Sequence, residues 1–138
     1  MNCKCFSETK EYICTTAAAE GHIDCLRHAH EHNCPWNEDT CALAAKYGHL
    51  NCLRYAHENG CSLDWITIGY AITYEKWLCA IYAIENGCPY NPTKIPASLK
   101  KILIHRKAQR LFPVLSEMLR QSGRNKQIFN QIIAKNKN

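Results

Sequence analysis

Cysteine is the residue type in this sequence with the most chemistry open to it. The chain has ten cysteines among 138 residues, and seven histidines accompany them. Thiols and imidazoles in such numbers are typical of three classes: secreted domains cross-linked by disulfides, zinc-binding proteins, and intracellular proteins with buried, reduced thiols. The spacing of the cysteines helps to choose among these classes.

The cysteines follow a repeat of 27 residues. Cys25, Cys52 and Cys79 are separated by this interval, and eight of the ten cysteines obey it. A fixed interval of this length is typical of architectures in which short units stack on one another. The other members of the series are Cys14 and Cys41, and then Cys34, Cys61 and Cys88.

The repeat bears on whether the cysteines pair. Equivalent residues in stacked helical units are about 8–10 Å apart, whereas a disulfide needs Cα atoms about 4.4–6.8 Å apart. Cysteines at equivalent positions are therefore not expected to pair, although Cys25 and Cys34 flank one helix end and are less easily excluded. We interpret Cys25, Cys52 and Cys79 as small, buried apolar side chains, which favours a reducing compartment.

A zinc site is the main alternative for some of these residues. Cys25, His28 and His32 fall on one face of a helix, and Cys34 follows closely, so that four ligands could converge on a metal ion. The next unit has a tyrosine and an asparagine in place of the two histidines. Because a repeated structural site would keep its ligands, we expect no metal and no cofactor.

Each unit is predicted to contain two short helices. In the second unit the first helix ends at the Gly48-His49 pair, and the second helix runs from Leu50 to Glu58 with its apolar residues on one stripe. Asn59-Gly60 ends the second helix, because glycine readily takes the left-handed conformation at a C-terminal cap. Such a unit buries its apolar face only against its neighbours.

The residues of the second unit carry a resemblance to a known family. Thr40-Cys-Ala-Leu-Ala-Ala-Lys-Tyr-Gly-His-Leu, followed by Asn59-Gly60, resembles an ankyrin repeat, with a unit of 27 residues against about 33 in the usual form. The short, cysteine-rich form is similar to the ankyrin-like repeats of large DNA viruses that infect amoebae and of some protists. The resemblance implies an all-α fold, an ankyrin-like helical solenoid of about three helix-turn-helix repeats within residues 1–92.

The charge of the chain is divided between its two parts. Residues 1–92 have a net charge of −5, and residues 93–138 have one of +10. The second part has too many apolar residues for a disordered tail. We predict a degenerate capping repeat over residues 93–123, with Pro113 near the start of its second helix, and a final helix over residues 125–134. The chain would then consist of a repeat domain and a basic helical cap or arm.

The basic residues of this second part are predicted to form one face. It would be either a solvated cap that attracts the acidic repeats, or a docking face for nucleic acid or an acidic protein. Only Phe112 and Phe129 could stack on bases, so base stacking has little support. The members of the face are Lys94, Lys100, Lys101, Arg106, Lys107, Arg110, Arg120, Arg124 and Lys126.

Partners of ankyrin repeats usually contact the ends of the inner helices and the tips of the linkers, and the resemblance implies the same here. Tyrosine and tryptophan at such positions suit binding hot spots. The alternative for Trp36 and Trp65 is packing over the next repeat, and Trp77 is expected in the core. The predicted partner-binding residues are Glu20, Trp36, Asn37, Glu38, Lys46, Tyr47, Trp65, Ile66, Thr73 and Tyr74.

The sequence has no phosphate-binding loop, nucleophile elbow or zinc-protease motif, so we expect no catalysis. We also expect no secretory signal and no membrane span, because the sequence starts without an apolar run and has no stretch of 18 apolar residues. We expect a cytoplasmic adaptor that binds a protein through the concave ankyrin surface, in the host cytoplasm or nucleus if the chain is viral. The alternative is an assembly or nucleic-acid-associated protein that docks through its basic C-terminal helices, and a zinc-dependent protein is a third class.

Overall fold

The computed structural model describes residues 12–121, and within that range it consists of seven α-helices and one 3-10 turn. No strand occurs in this range, so the prediction of an all-α fold is confirmed for it. The chain divides into two compact units, the first reaching Pro96 and the second beginning at Ala97. The helices are α1 (Ile13–Glu20), α2 (Ile23–Glu31), α3 (Glu38–Tyr47), α4 (Leu50–Glu58), α5 (Trp65–Thr73), α6 (Trp77–Glu85) and α7 (Ala97–Gln121), and the 3-10 turn spans Pro92–Lys94.

Helices α1 to α6 form three helix pairs that repeat at the predicted interval. The second helices begin at Ile23, Leu50 and Trp77, 27 residues apart, and each is 9 residues long. The first helices pack side by side, α1 on α3 and α3 on α5, and each also packs on the second helix of its own pair. The second helices form a further layer, in which α4 contacts both α2 and α6. The predicted helix from Leu50 to Glu58 is confirmed.

Residues in the left-handed conformation follow both helices of every pair. Each such residue sharply reverses the chain, and glycine adopts this conformation without a steric cost. After it, a backbone N–H bonds back into the helix, as from His49 N to Ala44 O at 2.8 Å. The residues with positive φ form two series of period 27: Gly21, Gly48 and Glu75 after the first helices, and Asn33, Gly60 and Gly87 after the second helices.

Two of these turn glycines lie directly beneath a side chain of the next helix pair. A Cβ added to Gly21 would overlap the imidazole of His49, whose Cε1 would be only 2.6 Å away. A Cβ added to Gly48 would lie 2.8 Å from Cδ of Lys76. His49 and Lys76 hold the same position in successive pairs, so the missing side chains let each pair approach the one before it. The third pair has the exposed Glu75 at this position.

Small residues, two leucines and three isoleucines form most of the core of the stack, the isoleucines being Ile13, Ile68 and Ile81. Leu26 and Leu53 occupy equivalent positions of α2 and α4 and are fully buried, and burying such a side chain stabilises the fold by about 1.5–3 kcal/mol. Trp77 was expected in the core, but it is half-buried because it is the first residue of α6, where the chain leaves a turn. The buried alanines of the first helices are Ala17, Ala18, Ala42, Ala44, Ala45 and Ala71.

The second compact unit contains α7, a single helix of 25 residues. The prediction of a helix-turn-helix repeat over residues 93–123 is therefore wrong. Pro113, predicted near the start of a second helix, lies inside α7. The helix has no glycine, whereas a left-handed residue separates the two helices of every repeat. Without such a residue the apolar spacing continues through one helix. The predicted helix over residues 125–134 lies outside the described residues.

Candidate protein-binding surface

Four side chains meet at the C-terminal ends of the first helices of pairs 2 and 3. Lys46 and Tyr47 end α3, Tyr70 lies on α5, and Tyr74 follows α5. The Lys46 ammonium is 5.3 Å from the centre of the Tyr47 ring, 5.4 Å from that of Tyr70 and 5.2 Å from that of Tyr74. Each distance is within the range of a cation–π attraction. We refer to Lys46, Tyr47, Tyr70 and Tyr74 as the tyrosine cluster.

Packing of α3 on α5 brings this cluster together, since each helix supplies part of it. The Tyr70 and Tyr74 rings also meet edge to face, with centroids 6.2 Å apart. Sequence reasoning selected Lys46, Tyr47 and Tyr74 but missed Tyr70. The available signal was its position four residues before Tyr74, which places the two side chains on one face of a helix.

Large aromatic side chains are exposed on this layer of first helices. Tyr47 is 51% exposed, Tyr74 is 47% exposed and Trp65, the first residue of α5, is 71% exposed. One of the two interpretations of Trp65 was packing over the next repeat. Its exposure shows that it does not pack there. Along α5 the exposed Gly69 and Thr73 follow Trp65 at intervals of four residues, and a Cβ on Gly69 would meet nothing within 4 Å. The surface of α5 is thus open, with aromatic residues at both ends.

Trp36 belongs to a different environment. Its ring stacks on His30 with centroids 3.8 Å apart and an angle of 6° between the planes, and it meets Tyr55 edge to face at 6.1 Å. Both contacts are made with second helices, because His30 lies on α2 and Tyr55 on α4. Trp36 therefore packs between helix pairs, as one of its two interpretations predicted, and its part in partner binding stays a prediction.

Four of the remaining predicted partner-binding residues lie at or near the ends of the first helices. Asn37 is exposed and precedes α3, whose first residue is the exposed Glu38. Ile66 is half-buried on α5. Glu20, at the end of α1, is exposed and pairs with Nδ1 of His22 at 3.2 Å. None of these four residues belongs to the tyrosine cluster. Their role in binding a partner stays a prediction.

The second helices carry a repeated arginine–tyrosine contact that sequence reasoning missed. Cζ of Arg27 is 5.8 Å from the ring centre of Tyr55, and Cζ of Arg54 is 5.8 Å from that of Tyr82. His57 Nδ1 also lies 2.9 Å from the Tyr82 hydroxyl. Burial raises the pKa of Tyr55 and of Tyr82. The signal in the sequence was the interval of 28 residues from each arginine to its tyrosine, one more than the repeat. These contacts join successive helix pairs.

The thiols of the repeats are buried and act as structural groups. Burial raises the pKa of Cys14, Cys52 and Cys79 to about 11, so these thiols are protonated at neutral pH and are poor nucleophiles. Others donate to backbone carbonyls of neighbouring linkers: Cys61 Sγ to Asn37 O at 3.3 Å and Cys88 Sγ to Asp64 O at 2.9 Å. The free, buried cysteines in the described range are Cys14, Cys34, Cys41, Cys52, Cys61, Cys79 and Cys88.

Cys25 departs from the interpretation given to it from the sequence. It is buried on α2, as expected, but it is disulfide-bonded and so is not a reduced thiol. This also removes it from the zinc ligands considered above. The His28 and His32 rings contact each other at a tilt of 49°, with centroids 4.1 Å apart. Between residues 12 and 121, no group of three or more histidine, cysteine or acidic side chains is arranged to hold a metal ion.

The basic residues of the second compact unit lie along α7. Lys100, Lys101, Lys107 and Arg110 are exposed, and Arg106 is half-buried. At about 100° per residue, four of these five fall within a third of the helix circumference, and Lys101 falls outside it. Arg120 lies near the end of α7, and Lys94 is exposed in the 3-10 turn. Arg124 and Lys126 lie outside the described residues.

Neither hydropathy nor likeness to other proteins assigns a role to these surfaces. No helix in the described range is long and apolar enough to cross a membrane. No protein-family model matches the chain, and no curated protein and no solved structure matches it either. The surface chemistry of the helix pairs and of α7 is therefore what bears on the function of the chain.

Proposed function

We propose that this chain is a non-catalytic adaptor of the ankyrin-repeat type that binds a protein partner through the exposed surface of its first helices. The ankyrin resemblance makes this the concave surface. Three helix pairs with a constant interval, left-handed turns and interlocking between pairs support that architecture. A stack of this kind offers its partner a rigid surface, and a rigid surface loses little conformational entropy on binding.

The observation that carries the proposal is the exposure of Tyr47, Trp65 and Tyr74 on one layer of helices. Aromatic side chains contribute a large contact area with few rotatable bonds, and they dominate the binding energy of many protein interfaces. Lys46 further restrains Tyr47 and Tyr74. A partner that covers these rings would remove substantial apolar area from water. Little side-chain entropy would be lost, because the rings are already restrained.

The state of the thiols supports an adaptor in place of an enzyme. A cysteine hydrolase needs a thiolate in an accessible cleft beside a base, whereas the free cysteines between residues 12 and 121 are buried. The seven free thiols of this range are also usual for a reducing compartment such as the cytoplasm, or the host cytoplasm or nucleus if the chain is viral. The Cys25 disulfide is more typical of an oxidising compartment. We propose a reducing compartment because the free thiols are more numerous.

A second candidate function depends on α7. No acidic residue occurs between Glu85 and Glu117, and Lys100, Lys101 and Lys107 are exposed within that interval. A helix with exposed lysines and a single acidic residue attracts nucleic acid or an acidic protein electrostatically. In this alternative the chain is an assembly or nucleic-acid-associated protein, and the repeats only support the basic helix.

Affinity capture from the native cell with the full chain tests the adaptor proposal. Three variants are compared with the wild type: Tyr47→Ala with Tyr74→Ala, Leu78→Ala, and Lys100→Gln with Lys101→Gln and Lys107→Gln. We expect the double tyrosine change to lower partner retention at least tenfold, because two exposed hot-spot rings are lost. Leu78 is the matched control, since it is 65% exposed on α6, in the other layer, and its loss should leave retention unchanged.

Circular dichroism establishes that each variant keeps the helical fold. Full retention by the double tyrosine variant would contradict the adaptor proposal. The basic-helix alternative would be favoured if only the triple lysine variant lost the partner and if retention by the wild type declined steeply with salt.

A further inference from the structure

The ammonium group of Lys46 is fixed in position but is not neutralised. Three rings from two helix pairs surround it at 5.2–5.4 Å. Within residues 12–121, no carboxylate lies within ion-pair distance of Lys46. Tyrosine rings attract a cation through their quadrupole but carry no net charge. The tyrosine cluster therefore presents a full positive charge, held in place, to whatever covers it.

The site is open to a group from outside the chain. Lys46 is half-buried, while Tyr47 and Tyr74 are about half exposed. Because both ring centres lie within 5.3 Å of the ammonium, a partner group that pairs with Lys46 would lie close enough to contact the two exposed rings. An anion would gain a charge-assisted hydrogen bond from the lysine, and its carbon chain would pack on the rings.

The charge of the surroundings makes this positive site selective. Residues 1–92 carry a net charge of −5, so most of the repeat surface repels an acidic partner. A single carboxylate would be attracted at Lys46 and disfavoured elsewhere on the repeats, and this fixes the register of binding. A second cation brought to the same rings would be repelled by Lys46 at a distance of a few ångströms.

We propose that the tyrosine cluster is a subsite for one aspartate or glutamate side chain of the protein partner. The carboxylate pairs with Lys46, and the residues that flank it pack on Tyr47 and Tyr74. This inference rests on the proposed function, because it needs a protein partner on the first helices. It goes further by stating the chemistry that the partner must supply.

Selection from a displayed library of random peptides on the full chain tests the inference, since no natural partner needs to be known. The selected peptides are then measured against Lys46→Gln, Lys46→Arg and the double change Tyr47→Ala with Tyr74→Ala. We expect the peptides to be enriched in aspartate and glutamate at one position. Their binding should weaken at least tenfold with Lys46→Gln and recover in large part with Lys46→Arg, since arginine keeps both the charge and the contact with the rings.

The other outcomes separate the inference from the proposed function. Two outcomes would overturn the inference alone. In the first, the peptides need Tyr47 and Tyr74 but share no carboxylate. In the second, their affinity for the Lys46→Gln variant equals their affinity for the wild type. Basic peptides that bind Lys46→Gln more tightly would also overturn it, and would make the rings a cage for a cation of the partner. Selection that yields no peptide dependent on either tyrosine would overturn both the inference and the adaptor proposal.

Discussion

Gly21→Ala is expected to destabilise the chain by about 3 kcal/mol, whereas Gly60→Ala should cost only about 1 kcal/mol. Both glycines are left-handed, with φ of +77° at Gly21 and +96° at Gly60, so both substitutions strain the backbone. They differ in what the new methyl group meets. At Gly21 it would overlap the ring of His49, while at Gly60 it would meet nothing within 4 Å.

Urea unfolding followed by circular dichroism measures the two free energies of unfolding. Adding His49→Ala to Gly21→Ala should restore about half of the lost stability, because the overlap is relieved and the strain of the turn remains. The same histidine change added to Gly60→Ala should restore none. Equal losses for the two glycine variants would mean that the next helix pair does not close over Gly21.

Stability is also expected to fall steeply as the pH rises from about 9 to 11. Burial raises the pKa of Cys14, Cys52 and Cys79 from the ordinary 9.0 to about 11. Below pH 9 these thiols are protonated in both the folded and the unfolded chain, so their ionisation does not lower the free energy of unfolding. Between pH 9 and 11 the unfolded chain releases protons that the folded chain keeps, so each thiol removes about 1.4 kcal/mol per pH unit. Over the two pH units the three thiols together remove at most about 8 kcal/mol, which would unfold a domain at the lower end of the ordinary range of about 5–15 kcal/mol.

Urea unfolding under reducing conditions at pH 8, 9, 10 and 11 measures this loss. Buried tyrosines contribute as well, since the pKa of Tyr55 and of Tyr82 is also raised. Cys52→Ala isolates the contribution of one thiol. This substitution lowers the stability at pH 8. If the three thiols account for most of the pH dependence, it should also reduce the slope of the free energy of unfolding against pH, between pH 9 and 11, by about a third. A stability that stays constant up to pH 11 would show that the thiols are not desolvated.

The periodic part of the fold could be predicted because glycine and asparagine mark its turns. The Gly48-His49 and Asn59-Gly60 pairs placed the ends of α4, and the structure has them at those residues. The same logic failed in the basic part. Apolar residues at helical spacing suit either one long helix or two short ones, and only a turn residue separates these cases. The stretch Ala97–Gln121 has no such residue, and one helix results.

The candidate site was predicted in part because a repeat locates positions but not the contacts between side chains. Lys46, Tyr47 and Tyr74 were selected from their place at the helix ends. Tyr70 was missed because Leu43 holds its position in the preceding pair, so no pattern drew attention to it. Only the packing of α3 on α5 brings its ring to Lys46.

The two linker tryptophans show the same limit of periodicity. Trp36 and Trp65 had the same two interpretations from the sequence, partner binding or packing over the next repeat. The structure separates them, because Trp36 stacks on His30 while Trp65 is 71% exposed. Their positions do not correspond in the repeat, since Trp65 corresponds to Glu38. The neighbours of each ring, and not its place in a linker, determine its environment.

Photo-crosslinking in the native cell tests most directly whether the first helices form the binding surface. A photoreactive phenylalanine analogue is placed at Tyr74, beside α5, or at Leu78, on α6; both side chains are exposed and only four residues apart. The account predicts a covalent adduct with a protein partner from position 74 and none from position 78. An adduct from position 78 alone, or a captured partner that position 74 never crosslinks, would contradict it.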